Sequence, residues 1–340
     1  MLIDKSKNEY LIECVPNVSE GRNLQTLDKL SDLLVKGGVT LLHRDIGSDA
    51  HRTVFTLIGT PTNLSNTLPA FIEEAIGLID LRHHQGAHPR IGAVDVCPLI
   101  PLFGTPKDIV ESVVSSVGSV VGESMGVPVF LYEESARSKI CRSLSEIRKG
   151  GLQKLRERMC SGEVTPSYGP NLPHESAGAM VLGQRPFLIA WNISLSPLNS
   201  NLDPLQQLKR AKKLASQIRE GGSVGLSRVR AIGWDMPTYG NVQVSCNLLD
   251  FRVTGLKQVF DTITQLAPSE DMKVNGSELI GLLPLEALVD GFSGTTEQKI
   301  NKAIQYLGLS LHSEFSPTDR IIEWRKEVKK LVGVPNLATL

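Results

Sequence analysis

One order of patterns occurs twice along this chain: strand, helix, strand, strand, helix, strand. That order restricts the fold more than any single motif. In the first copy, Leu11 to Val15 reads as a strand that stops at Pro16, and leucines at 24, 27, 30 and 34 give a helical stripe. Strand-like runs Val39 to Asp45 and Thr53 to Gly59 then flank the loop Ile46 to Arg52 as a hairpin. Thr60-Pro61 opens a helix with threonine as N-cap and proline at the first helical position, and Ala93 to Leu102 supplies the closing strand. The second copy runs from Phe187 to Leu195, through a helix capped by Asp203-Pro204, to strands Val229 to Met236 and Val242 to Asp250 around the turn-rich Pro237 to Asn241. A helix from Gly255 to Leu266 and a strand near Leu279 to Leu283 complete it. This is the pattern of the ferredoxin-like split βαβ unit, so the sequence predicts an α+β protein built of two ferredoxin-like (β-α-β-β-α-β) subdomains, residues 1–184 and 185–340.

Between the copies, Thr105-Pro106 reads as the cap of a helix carrying Ile109, Val113 and Val117, Val127 to Tyr132 as a strand, and Ser143 to Cys160 as a charged helix. The turn-rich stretch Thr165 to Gly178 reads as the domain boundary, either a plain linker or one that contacts ligand. Further helical patterns fall at Thr296 to Tyr306 and after Ser316-Pro317. With 340 residues and 41% hydrophobic content the chain can bury a sizeable core. Lys plus Arg (36) equals Asp plus Glu (36), which gives no electrostatic reason to expect nucleic acid or an anionic membrane as partner. Met1 to Lys7 lacks the apolar core of a secretory signal, and the five scattered cysteines fit reduced thiols, so a cytoplasmic location is expected.

The chemistry concentrates between Ile79 and Pro101. His83, His84 and His88 lie with Arg82 and Arg90 in one short stretch containing Gly86 and Pro89, and Asp95 follows in the apolar run. His84 and His88 have the spacing of a helical zinc pair, but Gly86 between them and Pro89 after His88 disfavour a helix there. No CxxC motif occurs, so no metal is expected; histidines in such a cluster suit proton exchange near neutral pH. A second candidate is the polar loop Asn17 to Asn23, with Asn17, Ser19, Glu20 and Arg22 between a strand end and a helix start, where backbone amides can meet an anion. Glu220 to Gly225 lacks phosphate-loop spacing and reads as a helix end, and the basic run Lys209, Arg210, Lys212 and Lys213 reads as a solvated face.

The chain resembles the formiminotransferase family over nearly its whole length. The resemblance is carried by Glu13-Cys14-Val15-Pro16-Asn17-Val18-Ser19-Glu20-Gly21, Asp45 with Arg52-Thr53-Val54, and Gly86-Ala87-His88-Pro89-Arg90-Ile91-Gly92-Ala93-Val94-Asp95. Gly169-Pro170, Phe187 to Asn192, Ala231 to Trp234, Asn247 to Asp250 and Leu279 to Pro284 extend it. It implies a groove between the subdomains for substrate. It also implies transfer of a formimino group from N-formimino-L-glutamate to N5 of tetrahydrofolate, a cosubstrate, with no metal and with a homodimer as assembly. His88 falls on the family's catalytic histidine. The folate-contacting segment falls on Gly169, Pro170, Asn171, Leu172, Pro173, His174, Glu175, Ser176, Ala177 and Gly178, whose interior lacks the family's aromatic residues. Two carboxylates on the donor favour guanidinium partners, so Arg52 and Arg90 are expected to bind it, with Asn17, Ser19, Glu20 and Asp45 around it. The resemblance stops short of a cyclodeaminase domain, so the next step is expected to need a separate protein. A metal-dependent amidohydrolase and a non-catalytic folate-binding protein are the alternative readings.

Overall fold

Pro16 interrupts the first strand without ending its sheet. β1 (Leu11–Cys14) and β2 (Asn17–Val18) lie in line, each antiparallel to β4 (Arg52–Gly59) on one side and β5 (Val94–Leu102) on the other. The backbone between them stays paired, since Val15 N–H donates to Pro98 O (3.0 Å) and Phe55 N–H to Pro16 O (3.0 Å). β3 (Thr40–Gly47) pairs β4 on its outer side. The computed structural model describes residues 10–198 and 202–332, and the chain divides into two compact units after Pro186. Met1 to Lys7, read above for a leader, lies outside the described residues.

In the first unit the sheet continues past β5 into two strands parallel to it, β7 (Met180–Gln184) and then β6 (Val129–Leu131). Three helices cover one face: α1 (Leu24–Lys36), α2 (Pro61–Leu78) and α3 (Lys107–Ser119). Their leucine and valine stripes bury Leu27, Leu30, Leu34, Leu64, Leu68, Val113 and Val117 against Phe55, Leu57 and Leu99, each full burial contributing roughly 1.5–3 kcal/mol. A smaller core of Ile91, Phe130, Ile147, Leu155, Met159 and Val181 gathers the 144–160 segment. Thr60 caps α2 as expected, accepting from Asn63 N–H.

Four local expectations need correction. Thr105 is not an N-cap: Pro106 holds that position without a side-chain bond, and Thr105 Oγ1 bonds the Leu11 and Leu102 carbonyls instead, tying the helix start to β1. The 143–160 stretch is two helices, Leu144–Ile147 and Gly151–Cys160, because Gly150 and Gly151 both take positive φ (79° and 73°). Residues 165–178 are bonded into the first unit by Ser167 N–H to Val129 O and Ala93 N–H to Ala177 O. Finally, β7 follows them unforeseen; as a short parallel strand buried along its whole length it shows no alternation to read.

The second unit is a four-stranded antiparallel sheet of β8 (Ile189–Pro197), β9 (Val229–Met236), β10 (Asn241–Leu248) and β11 (Met272–Ile280), in the order β11-β8-β10-β9. Helices Pro204–Ile218 and Leu256–Leu266 pack Leu214, Ile218, Val259 and Ile263 on Trp191, Ile193 and Val244. Asp203 caps the first of these in a capping box with Gln206. β11 begins earlier than expected, since a bulge between Val274 and Gly276 breaks its alternation. Thr296–Leu307 is a helix, whereas the region after Pro317 holds only short turns of helix up to Lys326–Val332. Of the basic run, Arg210 and Lys213 are not merely solvated: both meet the buried carboxylate of Glu270, at 3.3 and 2.5 Å. Among the described residues no helix is long and apolar enough to cross a membrane.

Candidate active site

The first unit brings most of the expected site residues together at one end of β2, β4 and β5. Asn17 begins β2, its side chain donating to Val15 O (2.7 Å) and accepting from Arg52 Nε–H (3.1 Å). Ser19 is buried, its hydroxyl donating to Gly92 O (2.7 Å). Glu20 turns back over the loop that opens α1: one oxygen accepts from the amides of Gly21, Arg22 and Asn23 (2.9, 2.7 and 3.0 Å). Burial opposes ionisation, but the amides of Asn23 and Arg22 and the His51 ring outweigh it and hold the Glu20 carboxyl below its usual range.

The histidine loop leaves α2 through a short turn, Leu81–His83, capped by Asp80. It is then fastened at several points. His84 Nε2–H donates to His51 O (2.8 Å), and its ring stacks on that of His51 at 4.0 Å. His51 sits at φ 48° in the hairpin loop, its Nδ1 2.8 Å from Gln85 O and its Nε2 3.1 Å from Glu20. Burial pushes the His84 imidazole down to about 4, so it is neutral at physiological pH. A Cβ on Gly86 would stand 2.4 Å from Ala50 O, so only glycine lets the loop lie this close to the hairpin. Arg90 spends its guanidinium on the loop itself, donating to the carbonyls of His84 (2.7 Å), Gly86 (3.3 Å) and His88 (3.4 Å).

His88 is presented by this clamped loop. Its Nδ1–H donates to Pro89 O (2.7 Å), a partner that can only accept, which leaves Nε2 with the lone pair. The residue keeps some solvent contact, yet its surroundings are dense protein. Burial, together with the Arg52 and Arg148 charges, pushes the imidazole well below its ordinary value. It is therefore a neutral, proton-accepting ring.

Beneath it, Asp95 is fully buried. One carboxylate oxygen accepts from Ile91 N–H (2.8 Å), and the other is shared by Arg52 (2.6 Å) and Arg148. Burial alone would raise this carboxyl, but Arg148 and Arg52 hold it at about 2. Burial in turn lowers Arg52 to about 10, still charged at neutral pH. Arg148, just after the helix Leu144–Ile147, drew no attention in the sequence; it lies 53 positions from Asp95 in a charged segment, and no local pattern marks it.

Asp45 lies on β3 opposite Val54 of β4, the residue that Asn17 pairs from the other side, and His43 lies 3.1 Å from its carboxylate. The segment Gly169–Gly178 meets the histidine loop through its second half. Leu81 N–H donates to Ser176 O (2.8 Å), Ala179 N–H to Ile91 O (2.8 Å), and Arg82 reaches Glu175 at 3.0 Å. Within it, His174 and Gly178 exchange backbone bonds and Ala177 N–H donates to His174 Nδ1 (3.1 Å). Its first half is tied elsewhere: Asn171 donates to Met159 O (3.0 Å), Gly169 lies against Gly122, and Leu172 is exposed. No group of three or more His, Cys, Asp or Glu among the described residues is arranged to hold a metal ion.

Comparison with known proteins identifies the family. Residues 11–185 match the family model for the N-terminal subdomain of the formiminotransferase domain, and residues 198–327 match the model for the formiminotransferase domain. The chain is 38% identical over 330 residues to a formimidoyltransferase-cyclodeaminase of Sus scrofa, covering 92% of this chain but 59% of that protein. It is 36% identical to a glutamate formimidoyltransferase of Streptococcus pyogenes serotype M1 (82% of this chain, 91% of that protein). A glutamate formimidoyltransferase of Thermoplasma acidophilum is 32% identical (82% and 90%). With both of its units matched in order and the two glutamate formimidoyltransferases covered over 91% and 90% of their lengths, the chain belongs to the formiminotransferase family.

Proposed function

We propose that this protein is a glutamate formimidoyltransferase, moving the formimino group of N-formimino-L-glutamate to N5 of tetrahydrofolate, with His88 as the group that carries the proton. The observation that supports it most is the His88 geometry: Nδ1–H donates to Pro89 O, which makes Nε2 the basic nitrogen of the neutral ring, in a chain of this family. As N5 bonds to the amidine carbon, its proton passes to His88 Nε2. When the bond from that carbon to the glutamate nitrogen breaks, the same proton returns to the leaving nitrogen, giving 5-formiminotetrahydrofolate and L-glutamate. One ring serves both transfers because the incoming and leaving nitrogens are bonded to the same carbon in the tetrahedral intermediate.

The remaining residues hold this ring and its loop. Arg90, His84 and His51 fasten the loop, and Glu20 anchors its neighbour at the start of α1. The segment Gly169–Gly178 is the proposed folate contact, and its bonding to Leu81 and Ala93 supports that reading. The antiparallel strand orders β3-β4-β1-β5 and β11-β8-β10-β9, each with two crossover helices, support the ferredoxin-like description of the two subdomains. A cytoplasmic location, a homodimer and metal-free catalysis belong to the same proposal. Purified protein is assayed with formiminoglutamate and tetrahydrofolate, following the modified folate with and without a chelator. Transfer that survives chelation is expected; hydrolysis without folate, or folate binding without turnover, contradicts the proposal.

A further inference from the structure

Asp95 is one buried carboxylate shared by two guanidiniums. The Arg52 side chain is 7% exposed, that of Arg148 14% and that of Asp95 0%, and Arg52 and Arg148 both reach the same oxygen, Oδ2. Arg90 adds a third positive charge that is felt at Arg52, while its own hydrogen bonds go to loop carbonyls. Three guanidiniums therefore face one carboxylate, in a place where unbalanced charge is costly. Arg148 also keeps a buried Nε–H with no acceptor. Its backbone is not free to drift: Arg148 N–H bonds Leu144 O (3.0 Å), and Arg158 donates to the carbonyls of Glu146 and Ile147 (2.8 and 3.3 Å). A fixed, cation-rich cluster thus lies near His88, with the single charge of Asp95 shared between the guanidiniums of Arg52 and Arg148.

We infer that Arg148, paired with Arg52 across Asp95, is the binding residue for a carboxylate of the glutamate moiety of the donor, and that Asp95 is the residue that positions both guanidiniums. This rests on the proposed reaction and deepens it. Arg52 gives Nε–H to Asn17 and a terminal N–H to Asp95, and Arg90 is drawn into bonds with the loop, whereas Arg148, which shares the same Asp95 oxygen, keeps its Nε–H without an acceptor. Planar guanidiniums suit a carboxylate, which accepts two parallel N–H bonds. A docked carboxylate also offsets the two cations that hold His88 low, so the base strengthens when its substrate is present.

The test is direct binding of L-glutamate, the product that shares the carboxylates, measured by NMR titration on the full chain for wild type, Arg148→Met and Arg148→Lys. Arg148→Met is expected to weaken binding by about 10–100-fold, the range for losing a charged hydrogen bond. Arg148→Lys keeps the charge without the fork and should fall between. In turnover, Arg148→Met should raise KM for the donor while leaving KM for tetrahydrofolate within about threefold. Equal glutamate binding by wild type and Arg148→Met, or none by wild type, overturns the inference. If Arg148→Met does not fold, Arg148→Lys decides: binding indistinguishable from wild type counts against the fork and overturns it. Glutamate binding that depends on Arg148 in a protein without formimino transfer upholds the carboxylate site and refutes the proposed reaction instead.

Discussion

Replacing Asp95 with asparagine keeps the side chain's shape and its acceptor for Ile91 N–H, but removes the negative charge that Arg52 and Arg148 share. Two routes give the magnitude. The carboxyl is held at about 2 against an ordinary 3.8, a gap worth about 2–3 kcal/mol of folding stability at neutral pH. Breaking a buried ion pair from one side costs about 3–5 kcal/mol by comparison with other proteins. The retained amide bond favours the lower figure, so a loss of about 3 kcal/mol is expected. With a urea m-value of roughly 2 kcal/mol/M, the unfolding midpoint of the first unit moves down by about 1.5 M. Probe choice matters, because Trp191, Trp234 and Trp324 all belong to the second unit, and tryptophan fluorescence follows that unit while far-UV circular dichroism follows both. The variant should therefore show an early circular dichroism transition that fluorescence does not share. The sign with pH is fixed too: a depressed carboxyl stabilises above its unfolded pKa and loses that contribution as pH falls toward about 2, so the gap between variant and wild type narrows below pH 4. A midpoint within about 0.3 M of wild type at pH 7 would refute the reasoning.

His84 gives a second pH signature. Its folded pKa is depressed to about 4, so the unfolded chain binds the extra proton first and stability declines as pH falls from about 6.5 to about 4; urea midpoints of wild type and His84→Gln should converge over that range, and a constant difference would contradict it. Gly86→Ala places a methyl group 2.4 Å from Ala50 O, pushing the loop off the hairpin. Its kcat should drop by at least about tenfold through misplacement of His88, with global stability changed far less than in Asp95→Asn; unchanged kcat would show that the clamp does not position the ring. The acid limb of kcat/KM should lie well below pH 6.5, because His88 is held low by burial and by Arg52 and Arg148, and a limb at or above 6.5 would count against that environment.

The parts of the fold that could be read from sequence are those written in local patterns. Thr60-Pro61 and Asp203-Pro204 with Gln206 mark helix starts through bonds made within three residues, and the two hairpins declare themselves by paired strand-like runs around loops. What escaped depends on distant partners. β7 is a strand only because β5 and β6 flank it, and Thr105 serves the backbone of β1, 94 positions away, in preference to the helix beside it. The candidate site divides the same way. His88 stands out as part of a dense polar cluster, whereas Arg148 becomes relevant only when a turn far along the chain meets Asp95. For Arg52 and Arg90 the sequence shows a guanidinium without showing that Asn17, Asp95 and the loop carbonyls take part of its hydrogen bonding.

If His88 moves the proton, its loss should slow transfer and leave folate binding in place. Single-turnover transfer from formiminoglutamate to tetrahydrofolate, measured for wild type and His88→Ala alongside tetrahydrofolate affinity, tests it most directly. The account predicts a transfer rate lower by about 10²–10⁴-fold in the variant, the usual contribution of a positioned acid–base group, with tetrahydrofolate bound within about threefold of wild type. Transfer by His88→Ala at a rate near that of wild type would contradict it.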